Sequence, residues 1–209
     1  MGNFVGKTVH VIPHFHWDRE WYFNTARSKI YLLKDLADVL HTLETKPAFR
    51  YFMVDAQASL LEDYLHWKPE DEERIRSLVK AGRLLIGPWY TQTDQLLICG
   101  ESIVRNLFYG IECCERLGGC MKIGYVPDSF GQSAQMPQIY QDFGMQDTVF
   151  WRGVSDDEVA KTDFLWRGAD GSTVYAYQLP YGYHIGGNIP EEEQDLTRYL
   201  QHEIIERIG

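Results

Sequence analysis

No stretch of the 209 residues approaches the roughly 20 consecutive apolar residues of a membrane-spanning helix. The opening MGNFVGKTVHVI lacks the long apolar region of a secretory leader and runs straight into a strand-like pattern. A membrane partner is therefore not expected. Positive charge is also scarce. Lys and Arg total 20 against 30 Asp and Glu, a net charge of −10, and no basic stripe offsets it. Such a surface repels phosphate backbones, so nucleic acid is not an expected partner either. Cysteine is sparse: Cys99, Cys113, Cys114 and Cys120, with no CxxC pair. Cys113 and Cys114 are adjacent on an expected helix and cannot both face one partner. Reduced thiols and a cytoplasmic location are the expectation, rather than a disulfide framework or a zinc knuckle. Internal repeats and low-complexity linkers are absent as well.

What the chain does have is a globular composition, 44% hydrophobic and 14% aromatic, at a length that suits one domain with its own core. Strand and helix patterns alternate. Strands are expected at Thr8–Ile12, Tyr51–Val54, Leu84–Ile86, Ile123–Val126 and Thr148–Trp151. Helices are expected at Thr25–Leu43, Ala56–Trp67, Pro69–Ala81, Ser102–Leu117 and Ala134–Phe143. Thr162–Arg167 and Thr173–Gln178, joined by Ala169-Asp170-Gly171-Ser172, read as a hairpin, and Glu191–Ile208 reads as a closing helix. This order implies an α/β fold: a parallel, barrel-like sheet with helices outside it and a terminal hairpin plus helix. Chemistry in such a fold gathers at the carboxyl ends of the strands.

Polar groups do gather there. His14, His16 and Asp18 follow the first strand, Asp55 and Gln57 the second, and Trp89, Gln92 and Asp94 the third. Asp128 and Gln132 follow the fourth, and Arg152 the fifth. Within PHFHWDREW, His16 and Asp18 stand two apart and point to the same side of an extended segment. The pair suits either a divalent cation, zinc in particular, or a histidine–aspartate cap on the strand end. His14 shares the parity and reads better as a supporting, hydrogen-bonded histidine. Asp128 lies in GYVPDSFGQS between Pro127 and Gly131. It is a third ligand, a nucleophile or the N-cap of the next helix. Rings at Trp17, Trp21, Trp89, Phe130, Trp151 and Tyr183 lie near strand ends. They point either to a sugar's apolar face or to core packing.

Together, PHFHWDREW and GYVPDSFGQS resemble glycoside hydrolase family 38, the α-mannosidases, and its bacterial branch most closely. RLLIGPWY and VFWRG fit as well, and the resemblance runs from Thr8 to about Ile189. It implies a seven-stranded type of β/α barrel, here incomplete. It implies a zinc ion held by His16, Asp18 and Asp128, with Asp128 also the catalytic nucleophile of a retaining mechanism. Trp21, Phe130, Arg152 and Tyr183 become substrate-site residues. His184 stands where animal members carry an aspartate.

The family's fourth zinc ligand, a histidine, and its acid/base aspartate match no motif up to Gly209. The 209 residues are therefore expected to be one domain, the N-terminal part of a longer catalytic unit, inactive by itself toward an α-mannoside. An incomplete barrel leaves a sheet edge available for pairing with a second copy, so a homo-oligomer is a further expectation. Two other readings keep the pocket and change the outcome: a metal-dependent deacetylase-type carbohydrate hydrolase, and a non-catalytic sugar-binding fragment.

Overall fold

The first helix shows how local sequence sets the architecture. Asn24 Oδ1 accepts the backbone N–H of Arg27 at 3.0 Å, capping α1 (Thr25–Thr45). Leu32, Leu36, Leu40 and Leu43 then recur at helical spacing and are buried. Each contributes roughly 2 kcal/mol of apolar burial. In the computed structural model, which describes residues 8–155 and 161–206, this stripe packs with Phe52, Val54, Leu60, Leu61, Leu84 and Cys114 in one core. Met53, between Phe52 and Val54, joins a second core with Trp89, Tyr125, Met136 and Phe150. That alternation marks β2 (Phe52–Val54) as a strand covered on both faces.

The strands form two sheets. β1 (His14–Phe15), β2 and β3 (Leu84–Leu85) pair in parallel in that order. β4 (Ile123–Val126), β5 (Asp147–Phe150) and β7 (Thr173–Gln178) are also parallel to one another, with β6 (Asp163–Arg167) antiparallel on the outside. The helices between them are α2 (Ser59–Trp67), α3 (Glu72–Lys80), α4 (Gly100–Arg116) and α5 (Met136–Asp142). The α/β class and parallel pairing match the sequence-based expectation; the strands occur as a group of three and a group of four. Met121 N donates to Ile86 O at 2.8 Å, and Trp89 Nε1 donates to Tyr125 O at 3.0 Å, which ties the groups together. Among the described residues, no helix is long and apolar enough to cross a membrane. The four cysteines are free thiols.

Several elements depart from expectation for identifiable reasons. Thr8–Ile12 is not a buried strand: Val11 and Ile12 are about half exposed, and pairing begins only where Met53 N donates to Pro13 O. The β-branched run has the propensity without an opposing surface to cover it. The helix expected from Ala56 starts at Ser59, because Asp55 and Ala56 take left-handed φ values of 31° and 55°. That turn sends Ala58 N and Ser59 N to Trp89 O and Tyr90 O instead. The helix expected over Pro69–Ala81 opens with a 3₁₀ turn at Pro69–Asp71. The closing helix is α6 (Glu193–Tyr199) followed by a π-type stretch, Leu200–Ile205. The expected end of that helix, at 207–208, falls outside the described residues.

Helix α4 reaches the sheet closely because residue 110 is glycine. A Cβ there would sit 2.2 Å from Pro88 O and 2.3 Å from Tyr90 N, both backbone atoms that cannot swing aside. Gly110→Ala is expected to destabilise the fold by about 3 kcal/mol, read as a lower urea midpoint at an unchanged slope.

Candidate active site

Both sheets present the carboxyl ends of their strands to one place. His16, just past β1, has Nε2 3.6 Å from Asp18 Oδ1 and 3.6 Å from Asp128 Oδ2, the latter just past β4. Arg152, past β5, places Nη2 2.8 Å from Asp128 Oδ1. Asp128 thus offers one oxygen to His16 and the other to Arg152. His16 Nε2 is buried and has no hydrogen-bond partner, and Asp128 Oδ1 and Arg152 Nε are also buried without directed hydrogen bonds.

Neighbouring loops hold this arrangement. Asp94 Oδ1 accepts Phe130 N at 2.8 Å, and Ser129 Oγ donates to Thr93 O at 2.7 Å. Gln132 Nε2 donates to Arg152 O at 3.1 Å, and Gln132 Oε1 accepts from Gln95 Nε2 at 3.1 Å. Gly153, at φ 98°, packs so closely on Gly131 that a Cβ would lie 2.7 Å from its backbone. The loops carrying Asp128 and Arg152 are therefore pressed together by their own backbones. Asp128 caps no helix. α5 begins at Met136 after a turn in which Met136 N donates to Ser133 O, so the cap reading is corrected.

The rings divide. Arg152 lies with its guanidinium carbon 3.8 Å from the Trp151 ring centre and 4.5 Å from that of Phe130, which is 66% exposed. Tyr183 packs on His16 at 4.7 Å and on Trp151 at 5.7 Å. Burial and the charges of Asp128 and Asp18 push its phenol up to about 12. Trp21, three residues after Asp18, is 73% exposed and meets Tyr22 edge-on. Trp89 is fully buried between the sheets, so its strand-end position reflects core packing and not a sugar platform. His14 Nε2 donates to Tyr183 O at 2.8 Å, the supporting role expected of it, and so ties the loop bearing Tyr183 to β1.

One participant, noted at a strand end, had no role assigned from sequence. Asp55, fully buried, meets His16 Nδ1 with Oδ1 at 3.1 Å and accepts Trp17 N at 2.8 Å with Oδ2. Its signal was visible: an aspartate directly after an apolar strand, followed by Gln57. Burial by itself would lower the His16 pKa. The hydrogen bond and charge of Asp55, aided by Asp18 and Asp128, outweigh it and hold the imidazole above its ordinary value. A cleft of about 250 Å³ opens beside His16 and Asp18, lined also by Arg19, Gln57 and Gln92.

The donor set can be tested against a cation. Among the described residues, no group of three or more His, Cys, Asp or Glu side chains forms a ready-made metal cage. The pairwise geometry at His16 nevertheless fits part of one. Zinc bonds of 2.0–2.2 Å in a tetrahedron put neighbouring ligand atoms about 3.4 Å apart, close to the two observed separations of 3.6 Å. The Asp18 side chain is half exposed and has room to close the remaining gap. With a neutral imidazole, the carboxylates of Asp18, Asp55 and Asp128 against the Arg152 guanidinium leave two negative charges, a match for a divalent ion.

Comparison with known proteins shows what the chain is similar to. The glycosyl hydrolases family 38 N-terminal domain matches residues 6–204. A protein of Halalkalibacterium halodurans named "Putative mannosylglycerate hydrolase" is 40% identical over 205 residues, covering 92% of this chain and 23% of its own length. Alpha-mannosidase G of Dictyostelium discoideum is 28% identical over 181 residues, covering 82% of this chain and 16% of its own. The crystal structure of an alpha-mannosidase from Enterococcus faecalis V583 superposes with a TM-score of 0.88 at 33% identity, over 94% of this chain and 23% of that one. The chain thus spans about a quarter or less of the length of these relatives.

Proposed function

Because the chain belongs to glycoside hydrolase family 38, we propose that it carries the cation-binding and nucleophile half of a retaining α-mannosidase site. One observation carries this reading: Asp18 and Asp128 both approach a buried, unpartnered His16 Nε2. His16, Asp18 and Asp128 would hold zinc. When bound, the ion supplies a Lewis-acid grip on sugar hydroxyls that favours the distorted ring of the transition state.

The chain's own groups supply the rest. The Asp128 carboxylate attacks the anomeric carbon as the glycosidic bond breaks, giving a covalent glycosyl ester. Arg152, stacked on Trp151 and Phe130, holds Asp128 Oδ1 and so fixes the orientation of the attacking carboxylate. Tyr183 keeps its proton at any working pH and can donate to a sugar hydroxyl. The exposed rings of Phe130 and Trp21 offer cover for the apolar face of the sugar. The acid/base carboxylate that protonates the leaving group, and a fourth ligand, come from outside these 209 residues. The relatives' names support an α-mannoside as the substrate class, with mannosylglycerate the first compound to try. The family match, made to glycosyl hydrolases along nearly the whole chain, sets the deacetylase reading aside.

Calorimetric zinc titration tests the cation reading. One equivalent is expected to bind, with release of protons, and with affinity that falls as the pH drops through the raised His16 pKa, because the proton and the ion compete for the same nitrogen. Binding that is absent, or indifferent to pH between 5 and 8, contradicts it.

A further inference from the structure

The Asp55 side chain accepts four hydrogen bonds beside the site, and the proposed chemistry does not use it. Its Oδ2 accepts Trp17 N at 2.8 Å and Gln57 Nε2 at 2.6 Å. Its Oδ1 meets His16 Nδ1 at 3.1 Å and Gln92 Nε2 at 3.3 Å, and Gln92 Nε2 also donates to Asp55 O at 2.6 Å. The backbone reaches this position through two successive non-glycine residues in the left-handed region, a costly conformation kept where the surroundings demand it.

We propose that Asp55 is a positioning residue that sets the tautomer of His16. A carboxylate only accepts, so the ring proton of a neutral His16 sits on Nδ1 and Nε2 is left bare. Bare Nε2 is the atom facing Asp18 and Asp128, and a ring in the other tautomer would aim an N–H at the cation. The link to a metal rests on the reading in the preceding subsection; the tautomer assignment does not.

The network makes Asp55→Asn informative. An asparagine keeps one acceptor and gains an NH₂. The Oδ2 side is occupied by donors that cannot reverse. Trp17 N is backbone. The Gln57 amide is locked, since its Nε2 also donates to Trp17 O at 3.0 Å while its Oε1 accepts Thr91 Oγ1 at 3.1 Å and Gln92 N at 3.2 Å. Two short bonds from locked donors meet Oδ2, whereas Oδ1 meets only His16 and a longer contact from Gln92 Nε2 at 3.3 Å, so the new NH₂ turns to the Oδ1 side. There the imidazole accommodates it by moving its proton from Nδ1 to Nε2. The substitution is nearly isosteric, yet it should place a proton on the ligand atom.

The experiment uses the 209-residue chain without metal, with ¹⁵N-labelled histidine and the ring neutral. Imidazole ¹⁵N correlation spectra should show His16 as the Nδ1–H tautomer in the parent and Nε2–H in Asp55→Asn. Zinc affinity should fall roughly 10- to 100-fold in the variant. A parent ring in the Nε2–H form overturns the proposal, and this arm needs no variant to fold. So does an Asp55→Asn chain that keeps the Nδ1–H tautomer and the parent's affinity. If the tautomers switch as stated while neither chain binds zinc, the positioning role is supported and the cation reading alone fails.

Discussion

Replacing Asp128 with alanine is expected to remove mannosidase turnover by a factor of about 10⁴ or more, the loss typical of deleting a nucleophile held in a prebuilt site. The measurement needs the chain extended to the full length of its relatives, with zinc present and an aryl α-mannoside as substrate. The 209-residue chain alone should give no turnover above background, because nothing in it matches the family's acid/base motif. Two outcomes would contradict the account. One is an extended Asp128→Ala enzyme that keeps more than about a hundredth of parental kcat/KM. The other is brisk hydrolysis by the 209-residue chain. Retention can be read from the same extended enzyme: the first-formed mannose should be the α-anomer, since retaining enzymes pass through the ester on the nucleophile.

Arg152 carries the second largest expected effect. Its guanidinium touches Asp128 at 2.8 Å while stacked over Trp151 and Phe130, so position, charge and planarity act together. Arg152→Met keeps much of the apolar stem and deletes the charge. It is expected to lower kcat about 10²- to 10³-fold, with KM changed less, because the loss falls on the group that attacks. Arg152→Lys should recover only a small part of this, since an ammonium lacks the flat fork that rests between the two rings. A Lys variant with parental kcat would show that charge alone matters and that the stacking is incidental.

Most of the frame was legible in the chain itself. The helical apolar spacing over Thr25–Leu43, the hairpin at Asp170-Gly171 and the β–α alternation depend on local chemistry, and they recur in the fold. His16, Asp18, Asp128 and Arg152 come together because parallel strands deliver their ends to one place, although the strand before the first two lies later than the apolar run suggested. What escaped depended on partners. Val11 and Ile12 have strand-like side chains, but the neighbouring strand pairs further along, at His14 and Phe15. Trp89 lies near a strand end as a sugar-stacking ring would, but side chains of β4, α4 and α5 pack with it in the second core. Asp55 was seen as polar and strand-terminal, yet its role depends on a histidine 39 residues earlier and on a turn that no local propensity favours.

The central claim is that one cation sits between His16, Asp18 and Asp128. Anomalous diffraction at the zinc edge, from crystals of the zinc-loaded chain, tests it most directly. The account predicts a single peak about 2.0–2.2 Å from His16 Nε2 and from a carboxylate oxygen of each aspartate. Zinc found only elsewhere, or no peak there at saturating zinc, would contradict it.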